Sequence, residues 1–202
     1  MSSKKLYSAK CLRNSSSLRK HIPNKQGVYK WWCNKEDLMK IMNKLKLDCN
    51  ECIKDIEKID NVYLVCTDKN SKKIKGSLYC IYVGESTNLH RRILSNHIGG
   101  NIKKSTLRYT LSAVLFGSKN ERKVDSIINK YFIEWEKCRK KTDCFEIQNK
   151  YINKYFRPLN NKDICPNNKK YNSERYYEPY KNGNGKRSVM INELRAKLKV
   201  TS

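Results

Sequence analysis

The chain has 202 residues, with 44 Lys or Arg and 19 Asp or Glu, which gives a formal net charge of +25. This length suits one well-packed domain with extensions and is short for two domains. Self-repulsion among so many cations opposes a compact fold unless a polyanion offsets it, so nucleic acid is the leading expected partner and a lysine-rich solvated surface is the alternative.

Targeting signals and cysteines limit the compartment and the cofactors. No apolar run reaches membrane-spanning length, and residues 1–20 lack the apolar core of a signal peptide, so we expect a cytoplasmic protein with no membrane partner. Nine cysteines, an odd number, indicate mostly reduced thiols. Cys49 and Cys52 form a CxxC pair that Cys33 and Cys66 could complete, but no second CxxC or paired His accompanies it. We therefore expect no zinc site.

The first half of the chain predicts two strands separated by an insertion. Residues 1–24 are polar and basic and predict a loose arm. Residues 27–32, GVYKWW, are β-branched and aromatic and predict a strand. Residues 78–83 predict the next main strand. Between them, apolar side chains at helical spacing predict a helical insertion over about 33–77, which also contains a strand candidate at 61–67.

The second half of the chain alternates helices with a single strand. Gly99 and Gly117 are placed to end two of the helices, because glycine adopts the backbone conformations that close a helix. The expected elements are helices at 88–97, 105–116 and 121–130, a strand at 131–135, a helix that runs into Arg157, a loop-rich stretch to 185 and a basic helix at 192–200.

This order of elements predicts an α/β (α+β) fold: a small mixed or antiparallel β-sheet flanked by helices, with a helical insertion between two of its strands. Three segments follow from the composition. Residues 1–24 form a basic arm, residues 25–161 form the folded domain, and residues 162–202 form a basic, loop-rich extension.

The most informative segment is residues 79–92, YCIYVGESTNLHRR. It combines a strand, a glycine break, a helix cap and an arginine pair. A tyrosine at a strand end and an arginine on the next helix can converge on a phosphate, because the guanidinium group matches the phosphate oxygens. Taken alone, the segment fits equally a core tyrosine followed by a solvated basic helix.

Two tripeptides connect this segment to a known family. Gly27-Val28-Tyr29 and Tyr82-Val83-Gly84 resemble the paired signature of the GIY-YIG nuclease superfamily, and Arg92 matches the arginine of that pattern. The run from Tyr151 to Asn160 resembles the end of the pattern. In addition, His97 to Asn101 followed by Ser105-Thr106-Leu107-Arg108 resembles a stand-alone, restriction-endonuclease-like branch.

The resemblance implies a mechanism of phosphodiester hydrolysis in double-stranded DNA. One divalent ion, Mg²⁺ or Mn²⁺, would bind the scissile phosphate. Tyr29 would activate or position the attacking water, in phenolate form, while Tyr82 and Arg92 would hold water and phosphate in line. His97 would assist proton transfer, and Asn160 would tie the end of the metal helix to the site.

Two further arginines are candidate site residues, and the sequence differs from the family pattern at two places. Arg91 is a candidate for DNA binding, and Arg108 is either a phosphate anchor or a structural residue at a helix start. The interval between Tyr29 and Tyr82 is far longer than the short hairpin usual in the family. His97 lies five positions past Arg92, where the family has four, so it points around an α-helix from Arg92 unless the helix is distorted.

The metal position holds an amide. In the family, the metal glutamate is followed three and four positions later by apolar residues and about twelve positions later by the asparagine, and this register selects Gln148 rather than Glu146. Residues two apart on a helix face different directions, so Glu146 cannot substitute. A neutral amide is a poor ligand for magnesium. We therefore expect a cleavage-deficient form, arising from either an engineered trap or a natural non-cleaving protein; the other matching residues favour the trap.

The leading functional prediction is a metal-dependent, site-specific double-stranded DNA endonuclease of restriction type, with a possible homodimer so that two sites cut two strands. The alternative is a non-cleaving sequence- or structure-specific DNA-binding protein with a degenerate nuclease site.

Overall fold

The computed structural model describes residues 5–47, 53–60, 62–65, 71–74, 76–155, 157–160 and 186–200. The predicted loop-rich stretch 162–185 and Cys49, Cys52 and Cys66 lie outside these residues. Over the described ranges, none of the helices combines the length and the apolarity that crossing a bilayer requires.

The described strands form one mixed sheet, and its order is β3-β6-β2-β7-β1-β4-β5. The pair β1 and β4 is parallel, and the other neighbours are antiparallel. The strands are β1 (Lys5–Ser8), β2 (Gly27–Asn34), β3 (Lys58–Asp60), β4 (Tyr63–Val65), β5 (Ser71–Lys73), β6 (Ser77–Ser86) and β7 (Phe132–Lys137).

Helices cover both faces of this sheet, as predicted. The α-helices are α1 (Ala9–Asn14), α2 (Ser16–Arg19), α3 (Lys35–Lys44), α4 (Thr106–Leu111), α5 (Glu121–Ile128), α6 (Lys141–Lys154) and α7 (Lys186–Val200). Two segments are π-helical, the first over Arg91–Ile98 and the second over Ser112–Phe116. The predicted mixed α/β fold is confirmed, and the insertion between β2 and β6 contains helix α3 and three short strands.

The prediction of a loose N-terminal arm is wrong for the described part of that segment. Strand β1 lies between β7 and β4, and Leu6, Leu12 and Leu18 are fully buried. These few apolar residues are spaced too widely among polar ones to produce a clear periodic signal. Their contacts are formed with elements that come later in the chain, so only the tertiary structure shows them.

Alternation along β2 divides the core between the two faces of the sheet. Tyr29 and Trp31 face one apolar cluster, and Val28 and Trp32 face the other. This follows from strand geometry, in which successive side chains point to opposite faces. The Tyr29 face carries the π-helices, and helix α6 packs on the Val28 face, where Cys144 and Ile152 are buried.

The cysteines divide into paired and free thiols. Cys138, just after β7, is joined to Cys144 in α6, with Cα atoms 5.5 Å apart. Cys11, Cys33 and Cys80 are free. The described cysteines thus contain a single local bridge, between residues close in sequence.

Candidate active site

The site begins where β2 and β6 pair. Tyr29 lies directly opposite Gly84 in the ladder, and its ring is fully buried. A Cβ atom at position 84 would overlap the hydroxyl and Cζ of Tyr29. Position 84 therefore requires glycine, because the Tyr29 hydroxyl occupies the space that any side chain would need.

Regular pairing of β2 with β6 sets the direction of Tyr82. Tyr82 pairs with Trp31, two residues along from the Tyr29–Gly84 pair, so strand alternation places Tyr82 on the same sheet face as Tyr29, with ring centroids 6.3 Å apart. A β-bulge lies beyond this stretch, because Cys80 pairs with Trp32 and leaves Ile81 as an extra residue. The two signature tyrosines thus lie on one face despite the long interval between them in sequence.

The first π-helix brings Arg92 and His97 to the same atom. In a π-helix the backbone repeat is i to i+5, so the residue five positions on takes the place that the fourth residue has in an α-helix. The N–H of Gly99 donates to the carbonyl of Leu94 at 2.7 Å, as this repeat requires. The five-residue spacing between Arg92 and His97 therefore matches the backbone that carries them.

Four side chains form a continuous hydrogen-bond chain. Arg92 Nε donates to Tyr29 Oη at 3.2 Å, and Tyr29 Oη lies 2.8 Å from His97 Nε2. On its other side, His97 Nδ1 lies 2.6 Å from Ser105 Oγ. Since Arg92 can only donate, we assign the Tyr29 proton to the bond with His97 Nε2, which leaves the imidazole proton on Nδ1, donated to Ser105.

Burial favours the neutral forms of the groups in this chain. It lowers the pKa of His97 well below its usual value, and the charges of Arg92 and Arg108 act in the same direction. It also raises the pKa of Tyr29 well above the usual value, an effect that the positive charge of Arg92 opposes. Both pKa shifts favour the neutral phenol of Tyr29 and the neutral imidazole of His97, which lies within hydrogen-bond distance of that phenol.

A cationic pocket of about 250 Å³ opens beside Arg92, and we call it the catalytic pocket. Besides Arg92, its lining includes the cations of Arg91 and Lys141 and one carboxylate, Glu85, so positive charge is in excess. Arg91 is exposed, and Arg92 is half-buried. The pocket joins these cations to Arg92, whose side chain reaches Tyr29, so an anionic group bound there would lie next to the hydrogen-bond chain.

Asn160 and Gln148 meet at the backbone of Val83, one residue before Gly84. Asn160 Oδ1 accepts from the Val83 N–H at 2.8 Å, and its Nδ2 donates to the Val83 carbonyl at 2.7 Å. Gln148 Nε2 donates to the same carbonyl at 3.4 Å. Both amides are buried, at 4% and 5% exposure, so the loop that follows α6 is tied to the signature strand.

The residues at this position do not fit a divalent metal ion. Gln148 presents an N–H group to Val83, and a neutral amide is a weak ligand for Mg²⁺, which prefers carboxylate oxygens. Among the described residues, no three His, Cys, Asp or Glu side chains form a cluster that could hold a metal ion.

Arg108 has a structural environment. Its guanidinium is 1% exposed, donates to the carbonyl of His97 at 3.1 Å, and pairs with Asp125 at 2.8 Å and with Glu121 at 2.9 Å. Of the two alternatives left open by the sequence, these contacts favour the structural one, since Arg108 holds the end of the first π-helix against α5.

Sequence reasoning missed two members of the site. Ser105 was considered only as a helix start, and its hydroxyl is both the N-cap of α4 and the partner of His97. Lys141 opens α6 and lines the catalytic pocket. The Ser-Thr-Leu-Arg motif was a signal for Ser105, whereas no local pattern distinguishes Lys141 from the many other lysines.

The fold brings paired tyrosines, an arginine and a histidine together beside a pocket whose lining has an excess of positive charge, an arrangement typical of the nuclease class. A family model described as the GIY-YIG catalytic domain matches residues 27–178, and the chain belongs to this family. Its members are nucleases that generally depend on a divalent metal, and DNA is the implied substrate. No curated protein matches the chain significantly, and neither does any solved structure.

Proposed function

We propose that this chain is a site-specific double-stranded DNA endonuclease of restriction type whose cleavage is impaired by Gln148. The observation that supports it best is the meeting of Arg92 and His97 at the hydroxyl of Tyr29, 3.2 and 2.8 Å away. A structural tyrosine needs one hydrogen-bond partner when buried. This one has a cation on one side and a neutral base on the other, which suits proton transfer beside an anion.

The chemistry follows from these contacts. The scissile phosphate binds in the catalytic pocket, where Arg92 contacts it and stabilises the negative charge that builds in the transition state. Tyr29 positions the attacking water and passes a proton to Nε2 of the neutral His97 imidazole as the water oxygen bonds to phosphorus. The bond from phosphorus to the oxygen of the leaving strand breaks, and that oxygen takes a proton from solvent. Tyr82 lies on the same face and helps to orient the water. Arg91 and Lys141 add positive charge at the mouth of the pocket.

The side chain at position 148 decides between a cleaving and a non-cleaving form of the protein. A carboxylate at this place would face Val83 and supply the anionic oxygen that a divalent ion requires, whereas the amide supplies an N–H donor. The alternative function, a non-cleaving DNA-binding protein, is favoured by the same observation, since the buried amide is satisfied by the Val83 carbonyl.

The deciding experiment is the Gln148→Glu variant on mixed-sequence duplex DNA with Mg²⁺ or Mn²⁺. We expect double-strand cuts at defined sequences, read by sequencing the new ends, while the parent chain leaves the DNA intact. Glu146→Gln, an exposed change two residues away, is the matched control and should not alter the outcome. If the Gln148→Glu variant leaves the DNA intact with both ions, the endonuclease assignment is wrong.

A second variant separates cleavage from binding. In the Gln148→Glu background, Arg92→Ala removes the guanidinium from Tyr29 and from the catalytic pocket. Cleavage should fall at least about 100-fold, as for loss of a transition-state donor, while duplex binding falls by much less. Equal losses of cleavage and binding would instead assign Arg92 to general DNA attraction. Sedimentation with and without DNA tests whether two copies act together.

A further inference from the structure

A second cationic pocket has Ser105, the hydrogen-bond partner of His97, in its lining. It has a volume of about 450 Å³ and is larger than the catalytic pocket. We call it the distal pocket. Its lining consists of four cationic and three hydroxyl-bearing residues: Lys103, Lys104, Lys119, Arg195, Ser105, Thr106 and Tyr109.

Among the described residues, no carboxylate lies in the lining of the distal pocket to offset its cations. Some described cations do have acidic partners, such as Lys40 with Glu36 at 2.6 Å and Lys58 with Asp60 at 3.3 Å. No such ion pair involves the three lysines of the pocket within the described ranges. Concentrated unpaired positive charge in a concavity attracts an anion and is repulsive without one.

Arg195 is held in place by the fold. It lies on α7, which is anchored by the fully buried Ile191 and Leu198. Tyr109 Oη donates to the carbonyl of Arg195 at 2.7 Å, and the Arg195 guanidinium stacks 5.0 Å from the centre of the Tyr109 ring. A guanidinium fixed in this way loses little conformational entropy when it binds an oxyanion, so Arg195 is suited to bind one.

The distal pocket is adjacent to the catalytic residues. Ser105 lines it and also contacts His97 Nδ1 at 2.6 Å. Burial raises the pKa of Tyr82, and the positive charges of Arg92 and, to a smaller extent, Arg195 oppose this rise. Arg195 therefore lies close enough to the signature tyrosine for its charge to act there.

We propose that the distal pocket binds a backbone phosphate of duplex DNA next to the scissile one, with Arg195 and Lys119 as its principal contacts and Lys103 and Lys104 at its exposed edge. This proposal rests on the proposed function, because it assumes that duplex DNA occupies the catalytic pocket. It assigns the C-terminal helix a role in DNA binding. It also places the second anion site next to Ser105, the partner of His97.

The test measures duplex binding by fluorescence anisotropy over a series of salt concentrations, with a chelator present to prevent cleavage. The parent chain is compared with Lys119→Ala, Lys103→Ala/Lys104→Ala and Arg195→Ala. Each neutralised phosphate contributes about 0.9 to the slope of log K against log salt, so loss of the distal contact should reduce the slope by about one. At about 0.1 M salt the affinity should fall roughly five- to ten-fold.

Two controls separate charge from folding. Lys35→Ala removes the same charge from an exposed residue at the start of α3, directly after β2. This change should leave the slope unchanged. Arg195→Lys keeps the charge and should retain most of the slope, whereas Arg195→Ala should not. Circular dichroism reports whether each variant is folded; Lys119→Ala and the lysine pair decide the matter if Arg195→Ala unfolds.

The outcomes distinguish this proposal from the proposed function. If the parent binds DNA with a steep salt dependence and the folded distal variants match Lys35→Ala, the distal pocket does not contact phosphate and the proposal is wrong, while the endonuclease assignment stands. If the parent does not bind duplex DNA at all, both are wrong. A selective loss of slope in the distal variants supports the proposal.

Discussion

The hydroxyl of Tyr29 and Nε2 of His97 lie 2.8 Å apart, although the two residues come from a strand and a helix separated by the whole insertion. The contact depends on the π-helical backbone of Arg91–Ile98, which aligns His97 with Arg92 over the same phenol oxygen. Isolated π-turns are often found at functional sites. Here the wider π-helical turn lets Arg92 and His97, five positions apart, contact the same hydroxyl.

The first prediction concerns the Tyr29 hydroxyl. Tyr29→Phe removes the acceptor of Arg92 and the partner of His97, so the free energy of unfolding should fall by about 1–3 kcal/mol. In the Gln148→Glu background, cleavage should fall at least about 100-fold. Urea denaturation and a plasmid-cutting assay measure the two effects. Cleavage at the parental rate would remove Tyr29 from the chemistry.

Tyr131→Phe is the matched control for that change. Tyr131 is fully buried like Tyr29, but its hydroxyl has no hydrogen-bond partner among the described residues. A buried hydroxyl without a partner costs free energy, so removing it should leave the stability unchanged or raise it by about 1 kcal/mol. Similar changes in the free energy of unfolding for Tyr29→Phe and Tyr131→Phe would mean that the hydrogen bonds of Tyr29 do not stabilise the fold.

The second prediction concerns the dependence of stability on pH. Burial, then the charges of Arg92 and Arg108, hold the pKa of His97 well below its usual value. As the pH falls below about 6.5, the unfolded chain takes up a proton at this position and the folded chain does not. The contribution of His97 to the free energy of unfolding is therefore fully present above that pH. Below it, the contribution decreases by up to about 1.4 kcal/mol per pH unit.

His97→Gln tests this assignment by chemical denaturation between neutral and mildly acidic pH. The variant loses stability at neutral pH because the Tyr29 and Ser105 contacts change, but its stability should depend less on pH than that of the parent. His90→Gln, at the half-buried N-cap of the same helix, controls for the loss of a histidine. Parallel pH profiles for the parent and His97→Gln would contradict a neutral, buried His97.

The third prediction concerns metal binding and does not depend on cleavage. Gln148→Glu places a carboxylate next to the Val83 carbonyl in a buried position, so the melting temperature should fall when a chelator is present. Mn²⁺ should restore part of that loss, because an ion that binds only the folded state stabilises it. The parent chain with Gln148 should show no such response. An equal response in the parent would locate the ion elsewhere.

The fourth prediction concerns a buried charge network on the opposite face of the sheet. Glu57 accepts from Lys30 at 3.0 Å and from Arg157 at 2.5 Å, and all three side chains are at most 10% exposed. Glu57→Gln leaves two buried cations without their shared carboxylate, which should cost about 3–5 kcal/mol. Arg157 precedes the loop that carries Asn160, so cleavage by the Gln148→Glu protein should fall as well.

Glu36→Gln is the control for the charge change in urea denaturation. Glu36 pairs with Lys40 on the exposed face of α3, where such pairs contribute little, and its loss should not change the unfolding midpoint measurably. If Glu57→Gln were as harmless as Glu36→Gln, the insertion would not stabilise the loop that holds Asn160.

The sequence by itself determined the elements whose signals are local. The aromatic and β-branched run at Tyr29, the glycine at 84 and the helical spacing around Gln148 each reflect contacts within a few residues or a steric requirement at one position. The strands β2, β6 and β7 and helices α3, α5 and α6 were predictable for this reason. The family signature added the order in which they occur.

Only the tertiary structure decided the rest. Strand β1 joins the sheet through Leu6 and its parallel neighbour β4, and such pairing depends on residues distant in sequence. The π-helix at Arg92 and His97 differs from an α-helix by one residue per turn, a small local difference that packing around Tyr29 and Ser105 resolves. Arg108 was ambiguous until Asp125 and Glu121 were seen beside it. Local patterns specify backbone geometry, whereas the environment of a charge is specified by the whole fold.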